Sequence, residues 1–155
     1  MRLAGRKALV TGSGSGIGQA IAIEFAKEGA DVVVNYRGNA SGADDTRAAI
    51  EKTGRRAATV QADVGITAEA RRLVADSIAA LSGLDILVNN AGIQKRAPFL
   101  EVTEQDYRSV MEVNMNAPFF LLRDTQAPGR IINISSVHEE LPFPISRRTA
   151  CLKAA

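Results

Sequence analysis

The chain has 155 residues, 46% apolar and 23% charged, with a formal net charge of +2, which fits one globular domain over residues 1–155 with a single core. Basic residues fall as scattered pairs (Arg55 with Arg56, Arg71 with Arg72, Arg147 with Arg148) among acids and without interleaved aromatics, so nucleic acid is excluded as a partner. One cysteine, Cys151, builds no disulfide framework, and no apolar run has signal-peptide or membrane length; a cytoplasmic setting with no membrane partner is expected.

In chain order, Ala8-Leu9-Val10 is the first short continuous apolar run, the pattern of a strand buried on both faces. It leads into Thr11-Gly12-Ser13-Gly14-Ser15-Gly16-Ile17-Gly18, then into a helix with apolar residues at Ile17, Ile21 and Phe25 that closes at Gly29. A glycine-rich turn feeding a helix N-terminus brings backbone amides and the positive helix end to a place where a pyrophosphate can sit. The spacing is T-G-x-x-x-G-x-G and not G-x-G-x-x-G, and alone it is a weak signal, with a mere tight turn as the lesser alternative.

Val32-Val33-Val34 gives a second strand, a helical segment from about 41 to 53 closes at Gly54, and Ala58-Thr59-Val60 gives a third strand. Thr67 with Glu69 behind it reads as the N-cap of the next helix, which carries Leu73, Val74, Ser77, Ile78 and Leu81 and closes at Gly83. Ile86-Leu87-Val88 is strand four. Thr103, three residues before Asp106, caps a further helix, and Ile131-Ile132-Asn133-Ile134 is strand five. The order β-α-β-α-β-α-β-α-β implies right-handed crossovers and a doubly wound parallel sheet, with the ligand crevice beyond the carboxyl ends of the strands where strand order reverses.

The loops at those ends carry Asp63-Val64 after strand three, Asn89-Asn90-Ala91-Gly92 after strand four and Ser135-Ser136 after strand five, with Asn114 in the preceding helix. With the glycine loop they resemble the short-chain dehydrogenase/reductase family over essentially the whole chain. The resemblance implies a Rossmann-like sheet, incomplete here at strands one to five, and NADP or NAD as cofactor. It places Gly12, Gly16 and Gly18 at the cofactor phosphates, with Ser15 and Ile17 also among the cofactor-binding residues, Asp63 and Val64 at the adenine, and Asn90, Ala91 and Gly92 along the ribose wall. Asp63 alone reads equally well as a turn cap. After strand two, Asn35-Tyr36-Arg37 offers no acid for the ribose hydroxyls, and Arg37 suits a 2′-phosphate, which favours NADP or dual use.

The family's chemistry is hydride transfer between the nicotinamide and an alcohol or carbonyl carbon of a small molecule, with Asn114 and Ser136 matching its asparagine and serine. Val34-Asn35-Tyr36-Arg37 and Ser136-Val137-His138-Glu139 with Leu141-Pro142-Phe143-Pro144 look most like the glucose 1-dehydrogenase branch, which implies a sugar substrate. A 3-oxoacyl-(acyl-carrier-protein) reductase-like enzyme and a non-catalytic cofactor-binding fragment are the alternatives. No metal is expected, since His138, the single histidine, has no second ligand at suitable spacing.

The family pattern breaks in two places. The tyrosine of its Tyr-x-x-x-Lys falls at Thr149, with Lys153 at the lysine position, and an aliphatic hydroxyl cannot replace a phenol whose pKa of about 10 a nearby ammonium lowers. Only eight residues separate Phe120 from Gly129, and Pro128 ends early a helix that usually helps make the family's dimer interface, so the usual homotetramer is doubtful. Strand five would then be an open edge exposing Ile131, Ile132 and Ile134.

Residues 145–155 look foreign to what precedes them. A codon string for P-N-F-A-A-Y-C-M-S-K-G-G-L-K that loses one nucleotide after the proline reads P-I-S-R-R-T-A-C-L-K-A-A and then stop, which reproduces residues 144–155. An out-of-frame tail is therefore expected. Resequencing across the Pro144 codon should show family-like coding sequence continuing in another frame; random sequence there contradicts the reading.

Overall fold

The computed structural model describes residues 1–125 and 129–135, and the backbone of 149–152. A five-stranded sheet is built from β1 (Lys7–Val10), β2 (Asp31–Tyr36), β3 (Ala57–Gln61), β4 (Ile86–Asn89) and a further strand, Arg130–Asn133, numbered β6 below. Its order is β3-β2-β1-β4-β6 and every pairing is parallel. Each connection carries a helix: α1 (Gly16–Lys27), α2 (Ala40–Glu51) and α3 (Thr67–Leu81), then α4 (Glu104–Met111) and α5 (Ala117–Asp124). The alternation read from the sequence is thus the architecture of the sheet. No helix among the described residues is long and apolar enough to cross a membrane.

The continuous apolar runs reflect burial on both faces. Leu9, Val33 and Leu87 pack with Leu73, Val74, Leu81 and Leu121 from α3 and α5, whereas Ala8, Val10, Val32, Val34 and Val88 pack with Ala22, Ala26, Ala43 and Ile50 from α1 and α2. Each fully buried Val, Leu or Ile contributes about 1.5–3 kcal/mol. Small residues on α1 and α2 let those helices lie close to the sheet.

β6 is the least covered strand: Ile131 and Ile132 are 45% and 38% exposed. Ile134, expected with them, is instead half-buried against the α1/α2 face. Asn133 closes the strand, pairing with Asn89.

Several local expectations need correction. The cap of α3 is Ile66, and Thr67 is already helical. Glu69 reaches back to accept from the Asp63 amide at 2.7 Å, so its carboxylate serves the preceding turn. At the far end Ser82, with φ 59°, takes the left-handed position and Gly83 follows with φ 139°. Thr103 does cap α4, accepting from the Asp106 amide at 3.1 Å. A short strand not expected from sequence, β5 (Lys95–Pro98), pairs antiparallel with β7 (Thr149–Leu152). Lys-Arg-Ala-Pro has neither alternation nor β-branched residues, so its extension comes from this pairing and not from propensity. Between α4 and α5 the chain makes a π-helical turn, Glu112–Asn116, where an ordinary helix interior was expected.

At the amino ends of the strands, Asp31 is 6% exposed and receives both Arg55 (2.6 Å) and Arg56 (2.8 Å). Burial alone pushes its carboxyl up, but the bonds from the Arg56 amide and side chain and from Arg55 outweigh this and hold it below the usual carboxylate value. A depressed folded-state value stabilises the fold above the unfolded carboxylate range, and that contribution is lost as pH falls through the folded value. Asp31→Asn should therefore lower stability at pH 7 by about 2 kcal/mol, with the gap to the parent closing below about pH 4, as read from urea melts across pH.

Candidate functional site

Register brings the carboxyl ends of β1, β2 and β4 level, since Val10 pairs with both Val34 and Val88. The next residues, Thr11, Asn35 and Asn89, are polar yet 1%, 2% and 7% exposed. The Thr11 hydroxyl donates to the Val88 carbonyl and accepts from the amides of Asn90 and Ala91, both at 3.0 Å. The Asn35 side chain accepts from the Gly12 amide at 3.1 Å and donates to the Val60 and Ala62 carbonyls, both at 3.2 Å. Four strand ends, those of β1, β2, β3 and β4, are thereby tied around the glycine loop.

That loop is held from behind by its acceptors. The Asn90 side chain donates through Nδ2 to the carbonyls of Thr11 (2.9 Å) and Gly12 (3.2 Å), the Thr46 hydroxyl to that of Ser13 (3.1 Å) and the Asn39 side chain to that of Gly14 (3.2 Å). At the start of α1, Ser15 is the N-cap, with extended backbone, but its side chain makes no cap bond, and the first turn carries no acid. By contrast α2 and α4 are capped by Asn39 and Thr103. Engaged carbonyls beside an uncapped helix N-terminus make a positive local field suited to an anion.

Two glycines are fixed by space. A Cβ on Gly12, whose φ is 63°, would lie 3.1 Å from the Ala91 Cα. A Cβ on Gly18 would lie 2.6 Å from the Gly12 carbonyl and against the Asn90 amide. Gly16 has φ 58° and open space beside it, so its role is the turn into α1.

In front of the loop lie two clefts that share the wall Asn90-Ala91-Gly92-Ile93. The larger, about 550 Å3, is lined by Ile17, Asn114, Met115 and Pro118 and by Asn89, Asn133 and Ser135 at the ends of β4 and β6. The smaller, about 250 Å3, is lined by Gly12, Asn35, Arg37, Asp63, Val64 and Val113. Residues separated widely in sequence are thus brought together: Arg37, Asp63 and Val64 at the smaller cleft, Ile17 and Asn114 at the larger. Ser136 and His138 lie outside the described residues, and of Thr149 only the backbone is described.

Asp63 makes the turn that the sequence left open as an alternative, its Oδ1 accepting from the Gly65 amide at 2.9 Å, while its Oδ2 stands 3.8 Å from Arg37 Nη1. Asn114 sits in the π-helical turn, where its side-chain amide matches both backbone groups of Ile93, accepting from its N–H and donating to its carbonyl at 2.9 Å each. That doubly bonded amide offsets the poor helix propensity of asparagine, and insertion of a residue in a helix often marks a functional position.

Sequence reasoning missed Thr11, Asn35, Asn89 and Asn133 as parts of the site. Their signal was a polar residue closing each apolar run, which reads as a strand end until the pairing register is known. Among the described residues no group of three His, Cys, Asp or Glu side chains is arranged to hold a metal.

A model of the family described as short chain dehydrogenase matches residues 6–155. The chain is 44% identical to an uncharacterized oxidoreductase of Methylorubrum extorquens, over 94% of this chain and 60% of that protein. It is 40% identical to 3beta-hydroxysteroid dehydrogenase 1 of Eggerthella lenta, over 98% and 61% respectively. Among solved structures, a short chain dehydrogenase from Burkholderia cenocepacia in complex with NADP superposes with a TM-score of 0.88 at 38% identity, covering 92% of this chain and 60% of that one. A blue fluorescent protein from a metagenomic library in complex with NADPH gives 0.87 at 40% identity, covering 91% and 60%. The chain spans about 60% of the length of these relatives. A parallel sheet wound in this order, a glycine loop held from behind at its mouth and a family match running from residue 6 to residue 155 lead to one conclusion: this chain belongs to the short chain dehydrogenase family.

Proposed function

We propose that the paired clefts bind NADP or NAD, with NADP favoured, and that the chain derives from an enzyme moving a hydride between the nicotinamide and an alcohol or carbonyl carbon. The observation that carries this is the loop from Thr11 to Gly14, whose four carbonyls are all engaged beside an uncapped helix. The residues fit the cofactor: Gly12 and Gly18 pack without side chains against Ala91 and Asn90 and so shape the loop, Gly16 leaves open space at the turn into α1, and the two clefts extend to either side.

Gly12, Gly16 and Gly18 would border the phosphates, with Ser15 and Ile17 as further cofactor-binding residues, Asp63 and Val64 the adenine, and Asn90, Ala91 and Gly92 the ribose wall. Arg37, 66% exposed at the smaller cleft, would meet a 2′-phosphate. The relatives bound to NADP and NADPH support that preference. Bound there, the cofactor supplies reversible hydride transfer. Asn114 fixes the wall by clamping Ile93, and Ser136 would hold the substrate oxygen.

For substrate we favour a glucose 1-dehydrogenase-like sugar, on the segments Val34-Asn35-Tyr36-Arg37 and Ser136-Val137-His138-Glu139. A 3-oxoacyl-(acyl-carrier-protein) reductase-like activity is the nearest alternative. With Thr149 in place of the phenol, the alkoxide side of the reaction has no proton partner, so the chain as written serves as a cofactor-binding fragment. The reading of residues 145–155 as out of frame accounts for that substitution.

NADPH added to the chain should show saturable quenching or a shift of its fluorescence at micromolar protein. Gly18→Ala should weaken that binding at least about tenfold, since the added carbon displaces the Gly12 carbonyl. Unchanged affinity with an unchanged melt would contradict the assignment of the loop. With glucose and either cofactor, kcat/KM should lie at least about a thousandfold below that of a family enzyme with its tyrosine, and turnover within tenfold would contradict the loss of the acid/base.

A further inference from the structure

The two outer strands of the sheet are treated differently. At β3 the Ala62 amide donates inward to Tyr36, while Gln61 turns its carbonyl outward, where Arg72 takes it at 2.7 Å. A charged side chain bonded to an outward carbonyl keeps another strand from adding there. At the opposite side β6 carries Ile131 and Ile132 exposed on its two faces, with no strand beyond it among the described residues.

The parallel ladder decides which backbone groups of β6 point out. The amides of Arg130 and Ile134 donate to the carbonyls of Asp85 and Asn89 at 2.8 and 2.9 Å. With a period of two, Ile132 also faces β4, and Ile131 and Asn133 direct their N–H and C=O groups away from the sheet. Outward groups on alternate residues are satisfied in full by a second copy of the same strand run antiparallel. Ile131 then pairs with Asn133 of the copy and Asn133 with its Ile131, each pair exchanging both of its hydrogen bonds about a twofold axis at Ile132.

The side chains suit that register. Ile132 meets its own copy on the face where Ile134 already packs, as a non-hydrogen-bonded pair with Cα atoms about 4.5 Å apart. Arg130 falls opposite Ile134 of the copy, so the two Arg130 residues lie about 13 Å apart along the strands, beyond the roughly 8 Å over which exposed charges act at physiological salt.

We propose that two copies of this chain join through β6, antiparallel and about a twofold axis, so that one sheet runs through both subunits. The edges left outside are the two β3 strands, which Arg72 guards, so assembly stops at the dimer. A strand-edge contact is small against the roughly 1,600 Å2 of a standard interface, and association in the micromolar range is expected.

Sedimentation of the full 155-residue chain over about 1 to 200 micromolar should show the mass rising from 16.5 kDa toward twice that value and no further. Ile131→Pro removes an outward amide without touching the ladder to β4, and should keep the chain monomeric with little change in its melt. Ile132→Lys, which sets two ammonium groups face to face, should do the same. In a Cys151→Ser background, Ile132→Cys should form an interchain disulfide under mild oxidation at least about tenfold faster than Ile131→Cys, since only the former faces itself. A monomer at every concentration overturns the proposal and leaves the edge to a strand of another protein. A dimer that Phe119→Lys abolishes and Ile131→Pro leaves intact also overturns it, placing the contact on the exposed face of α5. Growth past the dimer, or equal cross-linking at the two positions, contradicts the twofold register.

Discussion

The Thr11 hydroxyl is the hinge of the structure. Buried at the end of β1, it donates to β4 through Val88 and accepts two amides from the loop that follows β4. A buried hydroxyl with three partners is stable where a methyl in its place would leave two amides without acceptors, at about 1–3 kcal/mol each. Asn35 makes the corresponding tie on the other side, joining the glycine loop to the end of β3. The glycine loop and the start of the wall that the two clefts share are positioned by these two side chains and by the Asn90 side chain.

The ties are possible because the sheet beneath is rigid and dry. Its strands are apolar on both faces, and their parallel register sets the three polar residues at one level above the core. The low-dielectric floor strengthens each hydrogen bond made above it and makes an unmade one expensive. Asn89 illustrates this: it donates to Asn133 at 2.8 Å, while its own buried Oδ1 has no partner among the described residues. The floor of the larger cleft thus keeps an unused acceptor beside a shaped cavity.

Much of this was legible in the chain itself. Short runs such as Val32-Val33-Val34 declare doubly covered strands, and glycines at Gly29 and Gly54 mark helix ends with φ of 99° and 80°. Asp63, Asn90 and Asn114 were identifiable because a motif surrounds each. What escaped was whatever depends on contact between distant segments. Lys95–Pro98 becomes a strand only through its partner, Ile66 displaces Thr67 as a cap because Asp63 has already turned the chain, and the π-helical turn exists to aim Asn114 at Ile93. Thr11 and Asn35 stood in the sequence only as members of their loops, since the partners that make them ties are 77 and 25 residues away.

If the loop and the two clefts form one dinucleotide site, as proposed, amide chemical shifts show it most directly. Proton–nitrogen correlation spectra of the isotopically labelled chain, recorded as NADPH is added, should show saturable shifts at residues 14–18, at Arg37, at Asp63 and Val64, and at Asn90, Ala91 and Gly92, while amides of Asp31, Arg55 and Arg56 at the opposite end of the sheet stay fixed. Saturable binding that leaves the amides of residues 14–18 and 90–92 unmoved would contradict it.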